Sequence, residues 1–213
     1  MNSKRLLAIA SLIEQDDKIV DIGCDHAYLD IYLIKNNLCE SAIASDISAN
    51  ALNQAKLIIA KYELNDKIDT VISNGLEDIT GNFNTIVISG MGTNTILGIL
   101  NNEKVKYAKK IIIQSNNNLE ELRTSMNKNN FKIVKEIVVK ENNKFYSILL
   151  YVPGIEKLSK MTRKFGIYNK QNIEYYNYLY VKNQKILKRI PWYKFIKRFP
   201  IFLELLYLKK LKN

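Results

Sequence analysis

K-I-V-D-I-G-C-D-H-A-Y, running from Lys18 to Tyr28, is the stretch on which the reading of the chain turns. A short apolar run (Ile19, Val20, Ile22) ends at Gly23. Cys24, Asp25 and His26 follow, and a helical pattern opens at Ala27. A buried strand, a tight glycine turn and a helix start make up the opening unit of a nucleotide-binding α/β half, whose ligand sits beyond the carboxyl end of the strand. Glycine lets the backbone turn sharply there and approach a ligand closely.

Outward from this stretch the same grammar repeats. Lys4–Glu14 has the apolar spacing of an amphipathic first helix, and Tyr28–Lys35 of a second. Strands are expected at Ser41–Ser45, Lys67–Ile72, Asn84–Ile88 and Lys109–Ile113. Helices are expected from about Ala49 to Tyr62 with Ser48 as N-cap, from about Thr95 to Leu100, and from Leu119 to Asn129. Phe131–Val139 and Lys144–Tyr151 read as a β-hairpin across Glu141-Asn142-Asn143. The expected fold is α/β, a mostly parallel sheet with an antiparallel edge hairpin and helices on both faces. Gly23–His26, Asp46, Asn74-Gly75, Ser89–Gly92 and Gln114–Asn116 each follow the end of an expected parallel strand, so all five gather on one edge.

The glycine turn carries one glycine, where a dinucleotide fingerprint has three, and Asp21 and Asp25 flank it. Two carboxylates repel a pyrophosphate and suit a cationic ligand; S-adenosylmethionine, with its sulfonium and ammonium groups, fits. Asp46, at the end of the second strand, stands where an acidic residue can accept both hydroxyls of a ribose. Asn74, Gly75 and Leu76 can edge-bind and cover an adenine, although Asn-Gly by itself is also a common turn dipeptide.

After the fourth strand the chain reads S-G-M-G, with neither the prolines nor the aromatic that many exocyclic-amine methyltransferases carry at this place. D-I-G-C-D-H-A-Y-L, S-G-M-G and I-I-I-Q-S-N-N, in this order and spacing, closely resemble the bacterial tRNA (adenine(22)-N1)-methyltransferases, the TrmK family, over about residues 3–152. Gly92-Thr93 replaces the Gly-Gly of many relatives, and Gln114-Ser115-Asn116 their Gln-Pro-Asn. The resemblance implies a Rossmann-like class I methyltransferase sheet that uses S-adenosylmethionine and methylates N1 of adenine 22 in tRNA. Arg5, Asp21, Gly23, Cys24, Asp25, Asp46, Ile47, Asn74, Gly75, Leu76 and Gly90 are the expected donor-binding residues. His26, Tyr28, Ser89 and Asn116 are the expected catalytic and base-contacting set. His26 can accept from the adenine amine or take a proton from the methylated base; a satisfied helix-start histidine is the plain alternative. Tyr28 can instead pack under the loop, and Arg5 can be an ordinary solvated helix residue.

The chain has 213 residues, one large domain or a domain with an appendage, and divides sharply in charge. Residues 1–154 carry a net charge of −1, residues 155–213 a net +12 with only Glu156, Glu174 and Glu204 acidic. The excess points to a polyanionic partner, tRNA foremost, with an acidic membrane surface as the alternative suggested by the aromatic and basic Trp192–Leu208. Leu158, Phe165, Asn172, Leu179 and Ile186 recur every seven residues, with Met161, Tyr168 and Tyr175 three places on. This spacing predicts a coiled-coil-like helix of about 30 residues, broken at Pro191 and followed by a second segment interrupted at Pro200. A methyltransferase domain over 1–153 and a basic helical-hairpin arm over 154–213 are therefore expected. Off the seam, Lys157, Lys160, Arg163, Lys164, Lys182, Lys185, Lys188, Arg189, Lys194, Lys197 and Arg198 offer a phosphate-tracking surface. The opening M-N-S-K-R-L-L-A-I-A reads as a helix start and not a signal peptide, and no apolar run is long enough to span a membrane. Cys24 and Cys39 lack metal-ligand spacing and the chain has one histidine, so no metal site is expected. The picture is of a cytoplasmic monomer. A same-fold methyltransferase for a small molecule or protein, and a non-catalytic RNA-binding protein, are the competing functions.

Overall fold

Lys18–Ile22 forms β1, at the middle of a seven-stranded sheet in the computed structural model, which describes residues 3–212. Met1, Asn2 and Asn213, the outermost residues of the two expected domains, lie outside the described residues. In chain order the sheet domain comprises α1 (Lys4–Ala10), β1, α2 (Tyr28–Lys35), β2 (Ser41–Asp46), α3 (Ala49–Lys61), β3 (Ile68–Ile72), β4 (Thr85–Met91), α4 (Thr93–Leu100), β5 (Lys110–Ser115), α5 (Leu119–Lys128), β6 (Phe131–Glu141) and β7 (Lys144–Pro153). The strand order is β3-β2-β1-β4-β5-β7-β6. β1 to β5 are parallel; β7 pairs antiparallel with both β5 and β6. The order reverses between β1 and β4, the place where open α/β sheets bind ligands.

Alternation along the strands divides the core between two faces. Ile19, Val87, Ile112 and Ile148 pack with α1, α2 and α3, while Val20, Ile86, Ile88, Ile111, Ile113 and Leu149 pack under α4 and α5. Each fully buried isoleucine contributes about 1.5–3 kcal/mol. Ser48 caps α3, its hydroxyl accepting from the Ala51 amide, as the sequence predicts. The edge hairpin turns on Asn142 and Asn143, both left-handed (φ 48° and 60°), the two-residue turn that matches strand twist.

Two elements differ from expectation. α1 stops at Ala10, short of Glu14, because Asp17 draws the following segment into a turn. The Asp17 carboxylate accepts from the Glu14 amide (2.7 Å) and from the Thr85 hydroxyl (2.7 Å) and pairs with Lys110 (2.7 Å). β4 runs on past Ser89 to Met91, with a register shift between Ser89 and Met91 that re-aims this strand end.

Beyond Pro153 the expected 30-residue helix is three pieces. α6 (Lys160–Phe165) ends at Gly166 (φ 87°), a short turn covers Lys170–Asn172, and α7 (Ile173–Arg189) follows. α8 (Phe195–Lys212) is continuous through Pro200, contrary to the expected interruption. α7 and α8 form the expected antiparallel helical hairpin, but its seam is shifted. Tyr168 and Ile186 are exposed, whereas Tyr176, Asn183, Glu204 and Leu208 are buried. Polar bonds explain the shift: Glu204 takes Asn183 (2.9 Å) and Lys164 (2.6 Å).

The arm is joined to the sheet by a buried charge. Arg123 (α5) and Glu136 (β6) pair at 2.5 Å, both fully buried, and Arg123 also donates to the Arg163 carbonyl (2.9 Å). Glu136 receives the Ile167 amide, and its own carbonyl accepts from Asn169 and Asn172. No helix among the described residues is long and apolar enough to cross a membrane.

Candidate active site

A pocket of about 670 Å³ opens at the carboxyl ends of β1 to β4. Gly23, Asp46, Ile47, Asn74, Gly75, Leu76, Ser89 and Gly90, all singled out in the sequence, line it. Gly23 has φ 76°, and a Cβ there would collide with Met91; a Cβ at Gly75 (φ 63°) would come within 3.0 Å of Ile99. Asp25 and Ala27 are also left-handed (φ 54° each), so the loop after β1 stores strain where it borders the pocket.

The loop is held by Asp46. One carboxylate oxygen accepts from the Ser48 amide (2.8 Å) and the other from the Asp25 amide (3.1 Å), leaving lone pairs free on both. The Gly23 and Cys24 amides donate to the Ser45 carbonyl. Ile47, beside Asp46, is 71% exposed, an apolar surface suited to covering a ring; Leu76 is instead packed into the core. The pocket is lined by the carboxylates Asp46 and Glu77 and by no lysine or arginine. That charge excludes a pyrophosphate and suits a ligand bearing positive charge.

Arg5, Asp21, Cys24, Asp25, His26, Tyr28 and Asn116 do not line this pocket; Tyr28 lines a separate opening with Ser3, Tyr32 and Tyr62, and Asn116 another with Tyr146 and Tyr178. Asp21 lies beneath the loop, buried as is Asp30 of α2, which feels its charge. Burial, then the charge of Asp46, pushes Asp21 up to about 7. Burial and the facing Asp21 hold Asp30 well above the usual carboxylate range, and neither Asp30 oxygen has a hydrogen-bond partner among the described residues. Burial also pushes the Cys24 thiol up, with Asp30, Asp21 and Asp46 adding to it, which makes it a poor nucleophile. Asp25 is exposed and meets His26 at 3.5 Å (Oδ1 to Nε2). His26 and Tyr28 stand edge to face, 5.6 Å between ring centres.

Gln114, near the end of β5, was expected on the ligand edge but given no role of its own. Fully buried, its side-chain oxygen accepts from Arg5 (3.1 Å), Ser89 (3.3 Å) and the Gly90 amide (3.1 Å), while its nitrogen donates to Asn116 (3.1 Å). Asn116 in turn donates to the Gly90 carbonyl at 2.6 Å. A glutamine closing a run of isoleucines is the sequence signal, since a buried amide must find partners. Met91 lines the pocket within the expected Ser89–Gly92 segment, whereas Glu77 and the α4 residues Thr95, Gly98 and Ile99 on its wall were not foreseen, nor was Asp30 beneath the loop.

The glycine-backed wall, the free lone pairs of Asp46 and the exposed Ile47 fit an adenosyl group. Two further observations favour a polar ligand nearby: Arg5 Nε and His26 Nδ1 are buried and have no hydrogen-bond partner. The matching of known proteins agrees. A family model described as a methyltransferase domain matches residues 2–149. A solved structure of TrmK from M. capricolum, in complex with S-adenosyl-homocysteine, superposes with a TM-score of 0.82 at 33% identity, covering 99% of this chain and 97% of that one. This chain belongs to the TrmK family. Among curated TrmK-like relatives, a candidate tRNA methyltransferase of Mycoplasma genitalium is 36% identical over 162 residues, 74% of this chain and 71% of that protein. The tRNA (adenine(22)-N(1))-methyltransferase of Bacillus subtilis is 33% identical over 155 residues, 71% of this chain and 65% of its own length. The family model's match, residues 2–149, takes in the seven-stranded sheet up to β7, its pocket and the Gln114 cluster, whereas the likeness to the TrmK structure runs over 99% of the chain.

Proposed function

We propose that this protein is an S-adenosylmethionine-dependent tRNA methyltransferase acting on N1 of adenine 22. The observation that carries the reading is the meeting of an acidic, cation-free pocket with the amide and hydroxyl cluster around Gln114 at the switch between β1 and β4. S-adenosylmethionine, when bound, supplies an electrophilic methyl group on a sulfonium.

In this reading Asp46 accepts the ribose hydroxyls, Ile47 covers the sugar and adenine, and Asn74 with the Gly75 backbone holds the adenine edge. Asp21 and Asp25 provide negative charge near the donor's cationic groups, and Arg5 is positioned for its carboxylate. The Gly23 to Asp25 backbone, Cys24 included, and the Gly90 amide set the walls. Adenine N1 carries a lone pair and needs no activated nucleophile, so the catalytic task is alignment, roughly 3 Å from the methyl carbon. Ser89 donates its proton to Gln114 and keeps lone pairs for the adenine amine. Asn116 fixes the Gly90 turn, and Tyr28 supports the base beside His26. His26, half-exposed beside Asp25, would accept from the amine or take the proton released from the methylated base.

The sheet domain, residues 1–153, would perform the transfer and the arm, 154–213, would grip tRNA phosphates. Of the arm's cations, Lys164 is committed to Glu204 and Arg198 to the Leu187 and Ile190 carbonyls; Lys182, Lys185, Lys188, Arg189, Lys194 and Lys197 are exposed. The reading also takes the protein to be a cytoplasmic monomer that needs no metal.

The test is incubation with labelled methyl donor and unmodified tRNA, with the modified nucleotide mapped by mass spectrometry. N1-methyladenosine at position 22 is expected. Absence of label on any tRNA, or label on another atom, overturns the reading.

A further inference from the structure

A second opening, about 370 Å³, lies between the end of β5, the β6–β7 turn and α7. Asn116, Tyr146, Phe145 and Tyr178 line it together with Lys144 and Lys182, and no carboxylate does. It is joined to the candidate active site by two routes. Asn116 donates to the Gly90 carbonyl of the donor pocket. Arg5, bonded to Gln114, lies over the Tyr146 ring, 5.3 Å from its centre. On the arm side, the Tyr178 ring stands 5.1 Å from Phe145 and remains 48% exposed.

We propose that this cleft seats a nucleotide flanking the target adenine, its base against Tyr178 and Tyr146 and its phosphate on Lys144 and Lys182. The proposal rests on the RNA-methyltransferase reading above. A base drawn out of an RNA helix leaves neighbours whose stacking must be replaced, and exposed aromatic rings interleaved with lysines supply that replacement. The volume admits one nucleotide and no duplex, and the lack of carboxylates leaves phosphate unopposed. The cleft is also where the basic arm meets the base-handling residues, so a strand leaving the active site toward the arm crosses it. The competing view is that Phe145, Tyr175 and Tyr178 only glue α7 to the hairpin.

The experiment uses the full chain carrying Tyr178→Ala, Tyr178→Phe, Lys144→Ala or Lys182→Ala. It measures kcat and KM for unmodified tRNA, tRNA binding by fluorescence anisotropy against salt, S-adenosylhomocysteine affinity by calorimetry, and Tm. Tyr178→Ala should weaken tRNA binding roughly five- to twentyfold with an unchanged salt slope, and Tyr178→Phe should restore it. Each lysine variant should weaken binding about three- to tenfold and lower the salt slope by about 1. S-adenosylhomocysteine affinity should match the parent throughout. If Tyr178→Ala unfolds the arm, the two lysine variants decide, since both side chains are exposed. Unchanged tRNA binding in the lysine variants, or a Tyr178→Ala effect confined to Tm, overturns the cleft and leaves the methyltransferase reading intact. A parent chain that binds but does not methylate tRNA overturns the activity instead, and the anisotropy series still judges the cleft.

Discussion

Asp21 and Asp30 lie buried together beneath the glycine loop, both raised above the usual carboxylate range, and only one of the two was readable in the sequence. Asp21 stands beside the glycine turn, where an acidic residue has a recognisable use; Asp30 looks like an ordinary helix position until α2 folds onto β1. Gln114 escaped assignment for the same reason, because its four partners come from α1, β4 and the loop after β5. The pair makes stability depend on pH. Asp21 is raised from 3.8 to about 7, so the folded protein holds a proton that the unfolded chain has lost. Its stabilising effect is complete below about 4 and drains away as pH rises through about 7. The ligand-free protein should therefore melt at a lower temperature at pH 8 than at pH 6. Asp30→Asn, which removes one acid and retains a donor, should flatten that slope and raise Tm at pH 8 by about 2–4 °C. An unaltered slope in melts from pH 5 to 8 would show that these two raised carboxyls do not set the pH dependence.

At the scale of elements, the strands were legible because their isoleucine and valine runs end at glycine, aspartate or asparagine, and β1 fell on the expected residues. Element ends were less so, since long-range bonds set them: Asp17 shortens α1, and Gly166 divides the expected arm helix. The heptad spacing identified a helical hairpin but misplaced its seam, because buried Asn183 and Glu204 outweigh the exposed Tyr168 and Ile186. In the proposed reading the β1–α2 loop is the element on which donor binding turns. Gly23→Ala places a methyl group at a positive φ against the end of the Met91 side chain, so Met91 must move aside and the turn is strained. The variant should lose at least tenfold in S-adenosylhomocysteine affinity by calorimetry while Tm falls by only a few degrees. Parent-like affinity would remove this loop from the donor site.

For the whole molecule, the joint between sheet and arm matters more than the change in composition at Pro153 suggests. Arg123 and Glu136 are fully buried, and the arm's Arg163, Lys164, Ile167, Asn169 and Asn172 bond to one or the other. Removing one partner strands the other charge in the interior, at a cost of about 3–5 kcal/mol. Glu136→Gln should thus lower Tm sharply, and calorimetry of the parent should record a single unfolding transition with no separate step for the arm. Two resolved transitions would show the units to be independent. Charge-neutralising substitutions at Lys185, Lys188 and Arg189 consequently test the arm's grip on RNA better than truncation, which would open the joint.

The joint also has a consequence for synthesis. β6 leaves the ribosome with Glu136 some thirty residues before Ile167 to Asn172 emerge to close over it. The nascent sheet must wait with a buried-charge pair still open to water, and the last quarter of the chain is what lets the first three quarters finish folding.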